Sequence, residues 1–164
     1  IRSAIVHARQ KEAAMLDASL IGKDLDRFPL PVERSKVREF ARALLDDDPV
    51  YTDADVAKEA GFDDIPAPLT FAVAAGHFRE DLAVFESCGF DIKRMLHGES
   101  SWAYLAPVIV GDELTARRRV VDVTTRPGKR GGDMTLVTYE IEFVNQHGDT
   151  VLRQRDVLIQ TGGR

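Results

Sequence analysis

The stretch MTLVTYEIEFV, residues 134–144, alternates: Val137, Tyr139, Ile141 and Phe143 fall on one side of an extended chain, and Thr138, Glu140 and Glu142 fall on the other. Successive side chains of a strand point to opposite faces, so this is a sheet buried on one side and wet on the other. Such a face needs an apolar cover. The segment long enough to supply one is IPAPLTFAVAAGHFREDLAVFESCGF, residues 65–90. Pro68 suits a first helical position, and Leu69, Phe71, Ala72, Val73, Ala75, Phe78, Leu82 and Phe85 are apolar around more than one face. A long interior helix is therefore expected from about Pro68 to Ser87, ended by Gly89.

Three further strand-like runs surround residues 134–144. SSWAYLAPVIV precedes the turn-like Gly111-Asp112, ELTARRRVVDVTT precedes RPGKRGGD, and TVLRQRDVLIQT follows NQHGD. Four strands in succession predict an antiparallel meander. Nearer the start, SKVREFARALL sets Val37, Phe40, Ala41 and Leu44 at helical spacing. In YTDADVAKEAGF, Thr52 and Asp55 have the spacing of a capping box and Gly61 supplies a stop, which predicts a short second helix. Helices first and strands after define an α+β class, an antiparallel sheet wrapped around a long central helix. At 164 residues the chain holds one ordinary domain. Residues 1–18 read as an N-terminal tail or helix and 19–164 as the domain.

A formal net charge of -5 gives no general attraction to nucleic acid or anionic lipid, despite the local runs ARRR and RPGKR. No run approaches the length of a membrane-spanning helix. The single cysteine, Cys88, excludes an intrachain disulfide framework and a multi-cysteine zinc site. It fits a reducing cytoplasm and a small buried position near a helix end. Asp46, Asp47 and Asp48 are consecutive, so their side chains do not easily converge on one ion, and neither a metal nor a cofactor is expected.

The string LLDDDPVYTDADVAKEAGFDDIPAPLTF, residues 44–71, resembles the MaoC-like branch of the hotdog fold. That family includes (R)-specific enoyl-CoA hydratases and (3R)-hydroxyacyl-ACP dehydratases. Its hydratase motif reads G-D-x-N-P-[IV]-H. Here Leu45 stands in the place of the glycine, Asp46 of the aspartate, Asp48 of the asparagine, Pro49 of the proline and Tyr51 of the histidine. LHGESSWAYLAPVIVGDELTARRRVVDV is similar to the strand pair that follows the family's helix, with a Pro-x-x-x-Gly-Asp step at Pro107, Gly111 and Asp112. The resemblance runs from about Leu20 to Thr161. A motif without its histidine, and APLTF where the family has A-P-G-M, is most similar to the HadA/HadC type of subunit, which binds the acyl chain while a second subunit supplies catalysis.

The resemblance implies a hotdog domain that binds an acyl-CoA or acyl-ACP thioester, as a homodimer or as a heterodimer with a catalytic hotdog subunit. Hydration of a 2-enoyl thioester needs proton-transfer groups, each contributing about 10²- to 10⁴-fold, and donors for a carbonyl gaining enolate character. Asp46 and Tyr51 hold the two degenerate catalytic positions. A phenol with an ordinary pKa of ~10 is a feeble base at neutral pH, although it still donates a hydrogen bond. The backbone N–H groups of Leu69 and Thr70, just after Pro68, are the expected carbonyl donors.

Phe71, Phe78, His97 and Trp102 are the candidate acyl-binding side chains, with Glu99 beside His97. For the aromatics the competing reading is plain core, and for His97 an ordinary strand end. Asp46 to Asp48 read equally as a solvated cap between helices. His77 reads as a residue packed at a subunit interface, and His7 and His147 as exposed. The rival functions are a self-sufficient (R)-specific enoyl-CoA hydratase, a hotdog thioesterase and a non-enzymatic acyl-CoA-binding module.

Overall fold

In the computed structural model of the chain, which describes residues 16–78, 83–128 and 132–162, residues 134–144 lie within one strand, β4 (Asp133–Val144). Val137, Tyr139, Ile141 and Phe143 are buried, and Phe143 has no exposed surface at all. Burial of each such side chain contributes about 1.5–3 kcal/mol. The tail or helix read over residues 1–18, His7 included, falls chiefly outside the described residues.

The other elements are β1 (Asp24–Pro31), α1 (Arg34–Ala43), α2 (Ala54–Glu59), α3 (Ala83–Ser87), β2 (Met95–Tyr104), β3 (Glu113–Pro127) and β5 (Thr150–Gln160). The five strands form one antiparallel sheet in the order β1-β3-β4-β5-β2. Only β3, β4 and β5 are a meander. β2 crosses to the far edge and pairs with β5, which corrects the expectation of four consecutive neighbours. The reason lies in residues 105–112, which are too irregular to turn β2 straight back onto β3. There Ala67 N–H donates to Val108 O (2.7 Å) and Val110 N–H to Ile65 O (2.9 Å), so the PVIV run pairs with the segment entering the central helix instead of extending β2. Gly111, at φ 94°, completes the turn, and the buried Asp112 carboxylate accepts from Ile109 N–H (2.9 Å).

One sheet face is charged and wet. Arg153 pairs with Glu142 and Arg155 with Glu140 across β4 and β5, while Asp24 on β1 takes both Arg117 and Arg119 of β3. Hydrogen bonds from Arg117 and Arg119 hold the Asp24 carboxyl down at about 2. Exposed pairs of this kind contribute little to stability. The opposite face carries the core and, among it, the buried guanidinium of Arg118. Arg118 is 3% exposed, lies over the rings of Phe28, Phe85 and Tyr139 at 5.2, 5.1 and 4.8 Å, and reaches Asp26 at 3.3 Å. The contact with Phe85 of α3 packs that helix onto the sheet.

The cover is shorter and tighter than the continuous helix expected over Pro68–Ser87. Phe71–Phe78 forms a 3-10 segment, and α3 follows after residues 79–82, which lie outside the described set. Its start accounts for the difference. Phe71 N–H donates to Pro68 O and Val73 N–H to Thr70 O, both i→i+3 bonds at 3.0 Å, and Gly76 adds no side chain to hold α geometry. Phe71, Ala72 and Ala75 face the core while Val73 and Phe78 remain exposed in the single chain. In α1, Val37 and Ala41 are buried as their spacing predicts, with Leu44 half-exposed just past the helix end. In α2 the cap is Asp53, which accepts from Asp55 and Val56 N–H, and Thr52 belongs to the preceding turn. Cys88 is buried directly after α3, and Gly89 (φ 95°) turns the chain away. No helix among the described residues is long and apolar enough to cross a membrane.

Candidate functional site

The acidic stretch after α1 is built on one strained residue. Leu45 has φ 58°, the left-handed region that side chains disfavour by about 1–2 kcal/mol. It permits Asp46 N–H to return to Ala41 O (3.0 Å) and close the helix end. Asp46 Oδ1 accepts from Asp48 N–H (3.2 Å), and Asp48 Oδ1 accepts from Val50 N–H (2.9 Å), capping the 3-10 turn Pro49–Tyr51. Both carboxylates thus hold the local backbone. Leu45 is 91% exposed and contributes no packing, so Leu45→Gly is expected to stabilise the protein by about 1 kcal/mol in chemical denaturation. A lower midpoint for the variant would show that the turn is unstrained.

That turn delivers Tyr51 to a cavity of about 670 Å³ lined by the sheet, α2, residues 105–108 and the start of the 3-10 segment. Its volume falls within the roughly 300–1,000 Å³ range of small-molecule sites. The buried end is formed by Leu30, Leu114 and Leu152 of the sheet with Phe71. The exposed end carries Leu69, Tyr104 and Leu105, with Asp48 and Tyr51 supplying polar atoms. Burial, then the charges of Asp46 and Asp48, push the Tyr51 phenol above its ordinary value, so it stays protonated at neutral pH.

Of the residues singled out in the sequence, Tyr51, Leu69 and Phe71 line this cavity; Asp46, half-buried, is one turn away, and the carboxylate on the wall is Asp48. Thr70 is not on that wall but lies between the lining residues Leu69 and Phe71, with φ 71°, a strained conformation for a β-branched residue. Its N–H donates to the Tyr104 hydroxyl at 2.9 Å. Leu69 N–H has no partner among the described residues. Tyr104, like Leu30, Leu114 and Leu152, lines the cavity without being singled out by the sequence. Nothing in SSWAYLAP separates it from other strand aromatics.

Phe78, His97 and Trp102 are not brought to this cavity within one chain. Phe78 is exposed on the 3-10 segment. His97 and Trp102 belong to a polar group between β2 and β5, where His97 Nε2 lies 2.9 Å from Ser100 Oγ and Ser100 donates to the buried Asp156. Gln154 Nε2 completes that carboxylate's shell at 2.8 Å. The indole N–H of Trp102 and Gln154 Oε1 are buried beside it without partners among the described residues. Glu99 is exposed on β2, and His77 and His147 are exposed as well. Among the described residues no three His, Cys, Asp or Glu side chains are grouped to hold a metal ion.

Residues 19–154 match the family described as FAS1-like, dehydratase domain region. The UPF0336 protein of Saccharopolyspora erythraea is 36% identical over 149 residues, covering 90% of this chain and 92% of the relative. That of Clavibacter michiganensis subsp. michiganensis is 38% identical over 135 residues, or 82% and 87% of the two chains. A solved MaoC-like dehydratase superposes with a TM-score of 0.75 at 27% identity, over 91% of this chain but only 44% of that longer one. The HadBC complex of Mycobacterium tuberculosis, a 3R-hydroxyacyl-ACP dehydratase, gives 0.71 at 27% identity over 85% and 96%. The chain belongs to the FAS1-like dehydratase-region family and has the MaoC-like hotdog fold.

Proposed function

We propose that this chain is the acyl-thioester-binding subunit of a (3R)-hydroxyacyl-ACP or -CoA dehydratase and works with a related hotdog chain that carries the catalytic Asp and His. The observation that carries the reading is the apolar cavity ending at Leu69, with a protonated tyrosine where the family motif has histidine. Leu30, Leu114, Leu152 and Phe71 offer an acyl chain a dry wall, and the unpartnered N–H of Leu69, beside the Thr70 N–H that Tyr104 occupies, marks where its carbonyl would sit. Tyr51 occupies the base's position without a base's chemistry. Asp46, tied to Asp48 N–H, serves the turn.

Partnering is supported by β2, which among the described residues is an edge strand with an unpaired outer side and ends among the exposed Tyr104 and Leu105. The similarity to HadBC, itself a complex, favours a partner of the same fold. The expected result is that the purified chain leaves the conjugated absorbance of a 2-enoyl-CoA unchanged. Mixing it with a related chain bearing the intact Asp and His starts hydration at least about 10²-fold above the chain alone. Comparable turnover by the chain without a partner would replace this assignment with a self-sufficient hydratase. Release of free thiol from a saturated acyl-CoA would replace it with a thioesterase.

A further inference from the structure

Tyr104 closes β2 on the rim of the acyl cavity, its hydroxyl bonded to a backbone amide that the acyl reading assigns to the substrate carbonyl. Two features make this pairing more than a strand-end contact. Thr70 holds φ 71° to aim its N–H at the phenol, and a β-branched residue stays there only when its surroundings demand it. Tyr104 is 42% exposed and its hydroxyl oxygen accepts; the hydroxyl hydrogen has no acceptor among the described residues. A hydroxyl that accepts from an amide becomes a stronger donor, because hydrogen bonds in a chain polarise one another.

We propose that Tyr104 is a substrate-binding residue that relays the Thr70 amide: it accepts from Thr70 N–H and donates its own hydrogen to the thioester carbonyl, beside the unpartnered N–H of Leu69. The inference rests on the acyl-thioester reading above and adds to it a side-chain donor outside the residues matched to the hydratase motif. It also explains why a strained threonine amide points to a side chain instead of into open cavity. The carbonyl is then held by one phenolic O–H and one backbone N–H, two donors converging from β2 and from the entry to the 3-10 segment.

The test uses the full chain, the tightest-binding member of a saturated acyl-CoA series labelled with carbon-13 at the thioester carbonyl, and the matching thioether, which has no carbonyl. Wild type is expected to prefer thioester over thioether by about tenfold and to move the labelled carbonyl stretch to lower wavenumber. Tyr104→Phe keeps the ring, and it is expected to bind the thioether as wild type does, to lose the preference and to return the stretch most of the way to its value in solution. Unchanged thioether binding also reports that the variant is folded. A Tyr104→Phe protein that keeps the preference and the shifted stretch, or that binds the thioester more tightly, overturns the relay, the second result meaning that the phenol merely plugs the Thr70 amide. Wild type that binds neither ligand would show instead that the acyl reading has failed, before any variant is compared, and the relay with it.

Discussion

Tyr51→His is expected to give the isolated chain hydratase activity about 10²- to 10⁴-fold above its own background, the contribution of one positioned proton-transfer group. The turn that carries residue 51 is fixed independently of that side chain, by Asp48 accepting from Val50 N–H and by Tyr51 N–H returning to Asp48 O. An imidazole there starts from the cavity wall that the phenol lines. The Asp46 and Asp48 charges that push the phenol up also favour the protonated imidazole, while burial opposes it. A general base works only when deprotonated. The gained rate should therefore rise with pH through the titration of the new histidine and level off above it, whereas the parent chain shows no such limb. A folded Tyr51→His protein that binds acyl thioester without any gain would show that the missing histidine is not what silences the chain.

The second large effect is on binding. The cavity's buried end is apolar, and each methylene transferred from water to such a surface contributes about 0.8 kcal/mol. Lengthening a short saturated acyl-CoA by four methylenes should thus tighten its dissociation constant on the order of 10²-fold, until the chain reaches Leu30, Leu114 and Leu152 and the gain stops. Ala72 lines the same cavity, and Ala72→Leu should move that plateau to shorter chains while leaving short-chain affinity within a few-fold. Calorimetric titration across the series measures both. An affinity indifferent to chain length would mean that the acyl group does not enter.

How much of this was legible in the sequence depends on whether the determining contact was local. The alternation of Val137, Tyr139, Ile141 and Phe143 is local, and all four are buried. β1 was missed because Pro29 and Pro31 argue against a strand; the chain tolerates them by placing DLDRFPLP at a sheet edge. ARRR is a local basic run in the sequence, but strand alternation turns its middle arginine, Arg118, into the aromatic core. The glycine of the family motif has a physical meaning visible only in the backbone: Leu45, in its place, has positive φ. The site divides in the same way. Leu69 and Phe71 follow from a proline-started helix, whereas the Thr70–Tyr104 bond joins positions 34 residues apart and leaves no sequence signal. His97 and Trp102 are candidate acyl contacts in the sequence, while register pairs them with Leu158 and Gln154, away from the cavity.

A crystal structure of the chain with a saturated acyl-CoA tests the central claim most directly. The acyl chain is expected to lie against Phe71, Leu114 and Leu152, with its carbonyl oxygen within hydrogen-bonding distance of Leu69 N–H and the Tyr104 hydroxyl. An acyl chain bound elsewhere, or a carbonyl turned away from that end of the cavity, would contradict it.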